Sequence, residues 1–102
     1  MFGIDAPPAG TACGDAATRA LRRWLAESGN RVYLELGPRS SDGNGRALYY
    51  VWQRVGGDWL LVDDDMAYEG YAYAWIGEGQ HGADIAASER SARANRRGCL
   101  WR

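Results

Sequence analysis

Two adjacent glycines in the middle of the chain constrain its fold more than any other feature. Gly56 and Gly57 separate an apolar, aromatic-rich segment, 47–55, from a second one, 59–61. Paired glycines between strand-like segments favour a tight hairpin, because glycine readily adopts the backbone conformations that such a turn requires. The sequence therefore predicts an antiparallel pair of strands at this point of the chain.

The other elements are predicted from periodicity and turn-forming residues. We expect further strands at 2–6, 31–36 and 71–76, and helices at 15–28, 63–70 and 84–97. Asp15 is expected to cap the first helix. In segment 31–36, Val32, Leu34 and Leu36 alternate with more polar residues, which predicts a half-buried strand. Residues 37–45 contain three glycines and a proline, which is typical of a loop.

These strands and helices follow one another without regular β-α-β alternation. That order predicts an α+β fold, with a small curved sheet or partial barrel and helices packed outside it. A chain of 102 residues is expected to form a single domain, residues 1–102, and its 46% hydrophobic and 25% charged residues are typical of globular proteins.

The net charge of the chain and the length of its apolar segments bear on two classes of partner, nucleic acids and membranes. The formal net charge is -1, so any surface that attracts nucleic acid must be local. Apolar runs are far shorter than the ~20 residues of a membrane-spanning helix, so we expect no membrane association. A basic stretch followed by an apolar one, as in a signal peptide, is not found, and the sequence assigns no compartment.

Two cysteines, Cys13 and Cys99, leave two structural readings open. Together with the single histidine, His81, they are too few for a four-ligand zinc site. If the first and last helices meet, the two thiols can form a disulfide that stabilises the fold by ~4 kcal/mol. We favour the simpler expectation that both are small buried hydrophobic side chains.

Five segments carry a more specific signal through their order and spacing. They are GIDAP at 3–7, CGDAA at 13–17, DGNGRALYYV at 42–51, EGYA at 69–72 and ERSARANRRGCLW at 89–101. Together they resemble the thermonuclease, or staphylococcal nuclease-like, family across essentially the whole chain. The resemblance implies an OB-fold-like barrel with three α-helices packed outside, and a calcium-dependent nuclease that hydrolyses phosphodiester bonds of DNA and RNA.

The resemblance also implies roles for individual residues. Asp5 matches the family's calcium-ligand aspartate, and a hard cation such as Ca²⁺ prefers carboxylate oxygens. Arg46 matches the second catalytic arginine, whose planar guanidinium suits phosphate oxygens. The alternatives are an aspartate that begins a turn before two prolines, and a solvated arginine at the start of a strand.

Three departures from the family pattern put activity in doubt. The water-activating glutamate of the family is replaced by Pro8, and loss of a general base typically costs ~10²–10⁴ in rate. The first catalytic arginine would lie one residue before Met1. The first three strands of the family, which supply another calcium carboxylate, also precede it, so the resemblance predicts a partial barrel that lacks them. Ala6 replaces a residue that is often threonine.

These departures suggest two hypotheses for the function of the chain and three explanations for its missing family segments. We expect a nuclease-like domain with weak or absent activity; the alternative is a non-catalytic module that binds single-stranded nucleic acid or a protein. The chain is expected to be N-terminally truncated; the alternatives are a decayed relative, or a short protein whose sheet a partner chain completes. The family is often secreted, but the sequence does not decide localisation.

Aromatic and charged clusters elsewhere have both functional and structural interpretations. Tyr73 and Trp75 match family aromatics that stack on bases or sugars, or they form one face of a strand. We expect His81 to be a surface-loop residue, and Asp63, Asp64 and Asp65 to stabilise the positive end of a helix. Arginines near the end of the last helix are expected to form a solvated face: Arg90, Arg93, Arg96 and Arg97.

Overall fold

Strands and helices alternate irregularly along the chain. The computed structural model describes residues 1–41, 47–75 and 79–102. The elements within those ranges are β1 (Ile4–Asp5), α1 (Ala12–Ala26), β2 (Tyr33–Ser41), β3 (Ala47–Val55), β4 (Asp58–Leu61), α2 (Val62–Tyr68), β5 (Tyr73–Ala74), α3 (Gly82–Ala94) and α4 (Gly98–Trp101). The α+β class is therefore confirmed. In addition to the three predicted helices, a single-turn helix, α4, forms near the end of the chain.

The larger sheet is antiparallel and has the order β2-β3-β4. Trp52 on the central strand lies opposite Tyr33 on one side and Leu61 on the other. Gly56 and Gly57 have φ angles of +59° and +86°, a region that glycine occupies without steric cost. The hairpin that these two residues predict is confirmed.

The smaller sheet pairs β1 with β5, which lie far apart in sequence. Ile4 lies opposite Ala74, and Asp5 lies opposite Tyr73. The amide of Phe2 donates to the carbonyl of Tyr49 over 2.8 Å, which connects this end of the chain to β3. Strand 71–76 is therefore shorter than predicted, and Ile76 lies outside the described residues.

Two clusters of buried side chains form the core. One lies between the two sheets and α3, and it contains Phe2, Tyr50, Ala67 and Ile85. The other lies between α1 and α2, and it contains Ala17, Val62, Met66 and Ala72. Burial of these apolar surfaces is the main stabilising contribution, at ~25 cal/mol per Å².

The predicted apolar face of strand 31–36 is not buried. Val32, Leu34 and Leu36 are 37%, 59% and 58% exposed, so the prediction of a half-buried strand with these residues on its buried side is wrong. Val51, directly opposite Leu34, packs against the second core cluster. The packed elements therefore cover β3 but leave the described part of β2 exposed at the sheet edge.

The first helix begins earlier than predicted. Thr11, not Asp15, is the N-cap, and its hydroxyl accepts a hydrogen bond from the amide of Gly14 over 3.0 Å. Asp15 lies in the first turn and accepts from the amide of Gly10 over 3.1 Å. Its carboxylate still stabilises the helix start, but through the loop and the helix dipole.

The two cysteines are joined in a disulfide, so the preferred expectation of two separate thiols is wrong. Cys13 in α1 and Cys99 in α4 have Cα atoms 5.4 Å apart, which is typical of a disulfide. The bond links residues 86 positions apart in sequence. It holds the last turn of the chain against the first helix.

Candidate functional site

Asp5 and Tyr73 form a cross-strand pair on the smaller sheet. They lie directly opposite each other in antiparallel strands, so their side chains project from the same face. Both residues are exposed. Ile4 and Ala74, their neighbours on the other face, pack against the core cluster that contains Phe2. The core thus supports one side of this sheet, and the other side presents a carboxylate beside a phenol ring.

Two separate ring contacts lie beside this pair. The Tyr73 ring contacts the edge of Trp101 with centroids 5.6 Å apart, and Arg93 lies 5.0 Å above the Trp101 ring. Trp75 is 38% exposed and its ring lies 5.6 Å from that of Phe2. The structure therefore brings together three of the predicted site residues, Asp5, Tyr73 and Trp75, at one small sheet.

Backbone contacts hold this part of the smaller sheet in place. The amide of Trp75 donates to the carbonyl of Gly3 over 2.8 Å. The amide of Ala74 donates to a carboxylate oxygen of Glu89 over 2.5 Å, which ties β5 to α3. Charge-assisted hydrogen bonds of this kind are roughly twice as strong as neutral ones. The positions of Tyr73 and Trp75 are therefore well determined before any ligand binds.

Arg46 and Pro8 are the two other positions that bear on catalysis. Arg46 lies outside the described residues, so its role as a catalytic arginine stays a prediction. Pro8 lies in the loop before α1, where its carbonyl accepts from the Thr11 hydroxyl over 2.6 Å. Pro8 thus helps to cap a helix, and its side chain has no group that can accept a proton from water.

The described residues around Asp5 do not by themselves complete a calcium site. Ca²⁺ takes six to eight oxygen ligands, commonly from several carboxylates. Within residues 1–41, 47–75 and 79–102, no group of three or more His, Cys, Asp or Glu residues is placed to hold a metal ion. Asp5 offers one carboxylate to such a site.

The three consecutive aspartates, Asp63, Asp64 and Asp65, have different surroundings. Asp63 is fully buried and accepts from the amide of Val51 over 2.7 Å, and Asp64 accepts from the hydroxyl of Ser88 over 2.6 Å. Burial raises the pKa of Asp63 to about 7, and burial next to Asp64 raises the pKa of Asp65 to about 6. Asp63 therefore connects α2 to β3, and Asp64 connects α2 to α3.

His81 is a residue whose importance the sequence analysis missed. Its Nε2 lies 2.8 Å from a carboxylate oxygen of Glu35, and that same oxygen accepts from the indole N–H of Trp52 over 2.9 Å. The ring also packs edge-on against Tyr50 and Trp52. The expectation of a surface-loop histidine is therefore wrong. The sequence offered one indication, which is that His81 is the only histidine of the chain. That observation cannot identify Glu35, 46 residues away, as its partner.

Two arginines of the last helical region have specific contacts. Arg97 donates to the carbonyl of Tyr68 over 2.7 Å and lies 3.9 Å above the Tyr68 ring. Arg93 lies over Trp101. The prediction of a solvated face is therefore wrong at Arg97, whose guanidinium packs on the Tyr68 ring, whereas Arg93 is exposed as predicted.

The fold is a small α+β domain in which a carboxylate lies beside an exposed aromatic ring. The sequence model of the family described as staphylococcal nuclease homologue matches residues 1–102, the whole chain. The chain therefore belongs to the staphylococcal nuclease homologue family, and membership indicates a nuclease-like or nucleic-acid-binding function. No curated protein matches it. In the described part of the chain, no helix has the length and apolar character needed to span a membrane.

Proposed function

We propose that this domain binds single-stranded nucleic acid across the surface formed by Asp5, Tyr73 and Trp75. The cross-strand pairing of Asp5 with Tyr73 is the observation that supports this most strongly, because it puts a predicted phosphodiesterase residue next to a predicted stacking residue. A base stacked on an aromatic ring contributes ~1–3 kcal/mol, and every base has a face that can stack.

Phosphodiester hydrolysis at this surface is proposed to be weak or absent. The general-base position holds Pro8, and a proline side chain cannot remove a proton from an attacking water. Arg46 is proposed to contact the phosphate, because a guanidinium can neutralise charge that develops in the transition state. Asp5 is proposed as a calcium ligand in the family's manner, although described residues add no further carboxylate cluster around it.

The fold is proposed to be an OB-like partial barrel made by residues 1–102 as one domain. In support, the β2-β3-β4 sheet is antiparallel and is joined to β1 through the hydrogen bond from Phe2 to Tyr49. The exposed edge at β2 would accept a strand of a partner chain by the usual ladder hydrogen bonds.

A cleavage assay tests the hydrolytic part of the proposal. We would incubate labelled single-stranded DNA with the protein, with calcium or with chelator, and resolve the products. Slow calcium-dependent cleavage that disappears in both Asp5→Ala and Arg46→Ala would support an impaired nuclease. Asp58→Ala, which removes an exposed carboxylate from β4, is the matched control. Cleavage that is the same in all variants would contradict this assignment of the residues.

A non-catalytic binding module is the second candidate, and Pro8 is the residue that favours it. Binding of DNA in chelator without any cleavage would select this function. Tyr73→Ala and Trp75→Ala should then weaken binding about 5- to 150-fold. Tyr68→Ala removes an equally exposed ring from α2 and should leave affinity unchanged. Equal affinity in all four proteins would exclude the proposed surface.

A further inference from the structure

Three aromatic side chains of the larger sheet form an open slot outside the site proposed above. Tyr33 of β2 and Trp59 of β4 meet edge to face over the central strand, with ring centroids 4.9 Å apart, and Trp52 forms the third side. A cavity of about 410 Å³ is lined by these three residues. We call them the aromatic slot, and its size lies within the ~300–1,000 Å³ of small-molecule pockets.

Two rings of the slot have contacts within the protein that need no ligand. The indole N–H of Trp52 donates to Glu35, and His81 holds the same carboxylate oxygen. The guanidinium of Arg54 lies 5.1 Å from the Trp59 ring centroid. Tyr33 and Trp59 nevertheless remain 45% and 48% exposed. Large, fixed and exposed aromatic rings of this kind are enriched where proteins bind planar ligands.

Charge differs between the two sides of the slot. On one side, Arg31 and Arg54 join Tyr33 in lining an adjacent cavity of about 330 Å³. On the other side, a cavity of about 520 Å³ is lined by both slot tryptophans together with Asp64, Asp65 and Asp84. A phosphate chain would be attracted along the arginine side and repelled from the aspartate side. The two sides therefore favour one path for an anionic polymer.

We propose that the aromatic slot binds a base of single-stranded nucleic acid, with the phosphate backbone running along Arg31 and Arg54. The ligand class rests on the proposed function of the domain; the position of this second subsite does not. Stacking requires only a ring face of the base, and a guanidinium donates in pairs to phosphate oxygens. The slot would therefore bind DNA with little dependence on base identity.

Fluorescence anisotropy of a labelled oligothymidylate, measured in chelator, tests this proposal without requiring catalysis. Trp59→Leu keeps an apolar side chain but removes the ring, and Tyr33→Ala removes the opposite ring. Each should weaken binding about 5- to 150-fold, and Trp59→Phe should restore most of the affinity. Arg54→Gln should weaken binding and lower its dependence on salt, because one phosphate contact is lost.

Two controls distinguish base stacking in the slot from non-specific binding to exposed apolar or aromatic side chains. Leu34→Ala removes a 59% exposed apolar side chain from the opposite face of β2. Tyr68→Ala removes an exposed ring that also has an arginine over it, but on α2. Both should bind as the unmodified protein does, and circular dichroism should show every variant folded. A loss of affinity in the Leu34 control as large as in Trp59→Leu would overturn the proposal.

The remaining outcomes are equally decisive. The proposal fails if the unmodified protein does not bind the oligonucleotide, or if Trp59→Leu and Tyr33→Ala bind it with unchanged affinity. It also fails if the slot is occupied by a different partner. A second copy of the chain is that partner if sedimentation shows self-association that Trp59→Leu abolishes, and a basic peptide is that partner if oligoarginine binds at the slot instead of the oligonucleotide. Loss of binding in Trp59→Leu but not in Tyr73→Ala supports the slot while contradicting the surface at Asp5. The reverse pattern contradicts the slot alone.

Discussion

His81 and Glu35 are joined at 2.8 Å across the larger sheet, linking the residue just before α3 to strand β2. The Glu35 oxygen that meets His81 also accepts from Trp52. One carboxylate oxygen thereby holds a ring of the aromatic slot and the start of a helix.

Glu35→Gln should lower stability at neutral pH. Hydrogen bonds from Trp52 and His81 hold the pKa of Glu35 below its usual value of 4.5. A lowered pKa contributes stability that is present above pH 4.5 and is lost as the pH falls through the value in the folded protein. The side chain is 40% exposed, so the loss should be on the order of 1 kcal/mol or less.

Thermal melts at several pH values check this prediction. The melting temperatures of Glu35→Gln and the unmodified protein should differ at pH 7 and converge as the pH falls below 4.5. Asp58→Asn, which removes an exposed carboxylate from the neighbouring hairpin, serves as the control. A difference for Glu35→Gln that stays constant down to strongly acidic pH would contradict the expected linkage.

Asp63→Asn should stabilise the protein at neutral and alkaline pH. Burial raises the pKa of Asp63 to about 7, and within the described residues its second carboxylate oxygen has no hydrogen-bond partner. The unfolded chain ionises near 3.8, so the penalty grows from that pH to about 7. Asparagine keeps the acceptor for Val51 without the buried charge, and we expect a gain of about 1–3 kcal/mol.

Urea denaturation between pH 4 and pH 8 measures that gain. The free energy of unfolding of Asp63→Asn relative to the unmodified protein should rise across this range and then level off. Asp64→Ala removes a charge from the same helical turn and also the acceptor for Ser88, and we expect it to destabilise. Asp63→Asn less stable than the unmodified protein at pH 8 would contradict the interpretation.

Opening the Cys13–Cys99 disulfide should reduce stability by about 2–4 kcal/mol, because the bond closes a loop of 86 residue positions and restricts the unfolded chain. Urea denaturation of the double variant Cys13→Ala/Cys99→Ala measures the loss. Reduced unmodified protein should have nearly the same midpoint as that variant. A midpoint that reductant leaves unchanged would show that the bond does not contribute.

Gly70→Ala should destabilise the protein far more than Gly57→Ala. Both glycines have positive φ angles, +78° and +86°, so an alanine is strained by ~1–2 kcal/mol at either position. A Cβ on Gly70 would also collide with the backbone carbonyl of Arg97, whereas at Gly57 the space is open. We expect a further loss of at least ~2 kcal/mol at Gly70, measured by urea denaturation. Equal losses would contradict the close approach of these two segments.

The family and the local elements could be predicted from sequence because both depend on short segments. The hairpin at Gly56 and Gly57 follows from the backbone preferences of two residues, and strand β3 was predicted with its observed bounds. Helix α2 was predicted from its row of aspartates. The pairing of Asp5 with Tyr73 was not predicted, since 68 positions separate the two residues along the chain.

Contacts between residues that are far apart in the sequence could be determined only from the tertiary structure. Periodicity correctly put Leu34 and Leu36 on one side of a strand, but only the packed fold shows that α1 and α2 cover Val51 and leave Leu34 exposed. The same is true of the Cys13–Cys99 bond and of His81 beside Glu35. Local preferences act through the backbone of neighbouring residues, whereas burial and pairing depend on which distant surfaces meet when the chain folds.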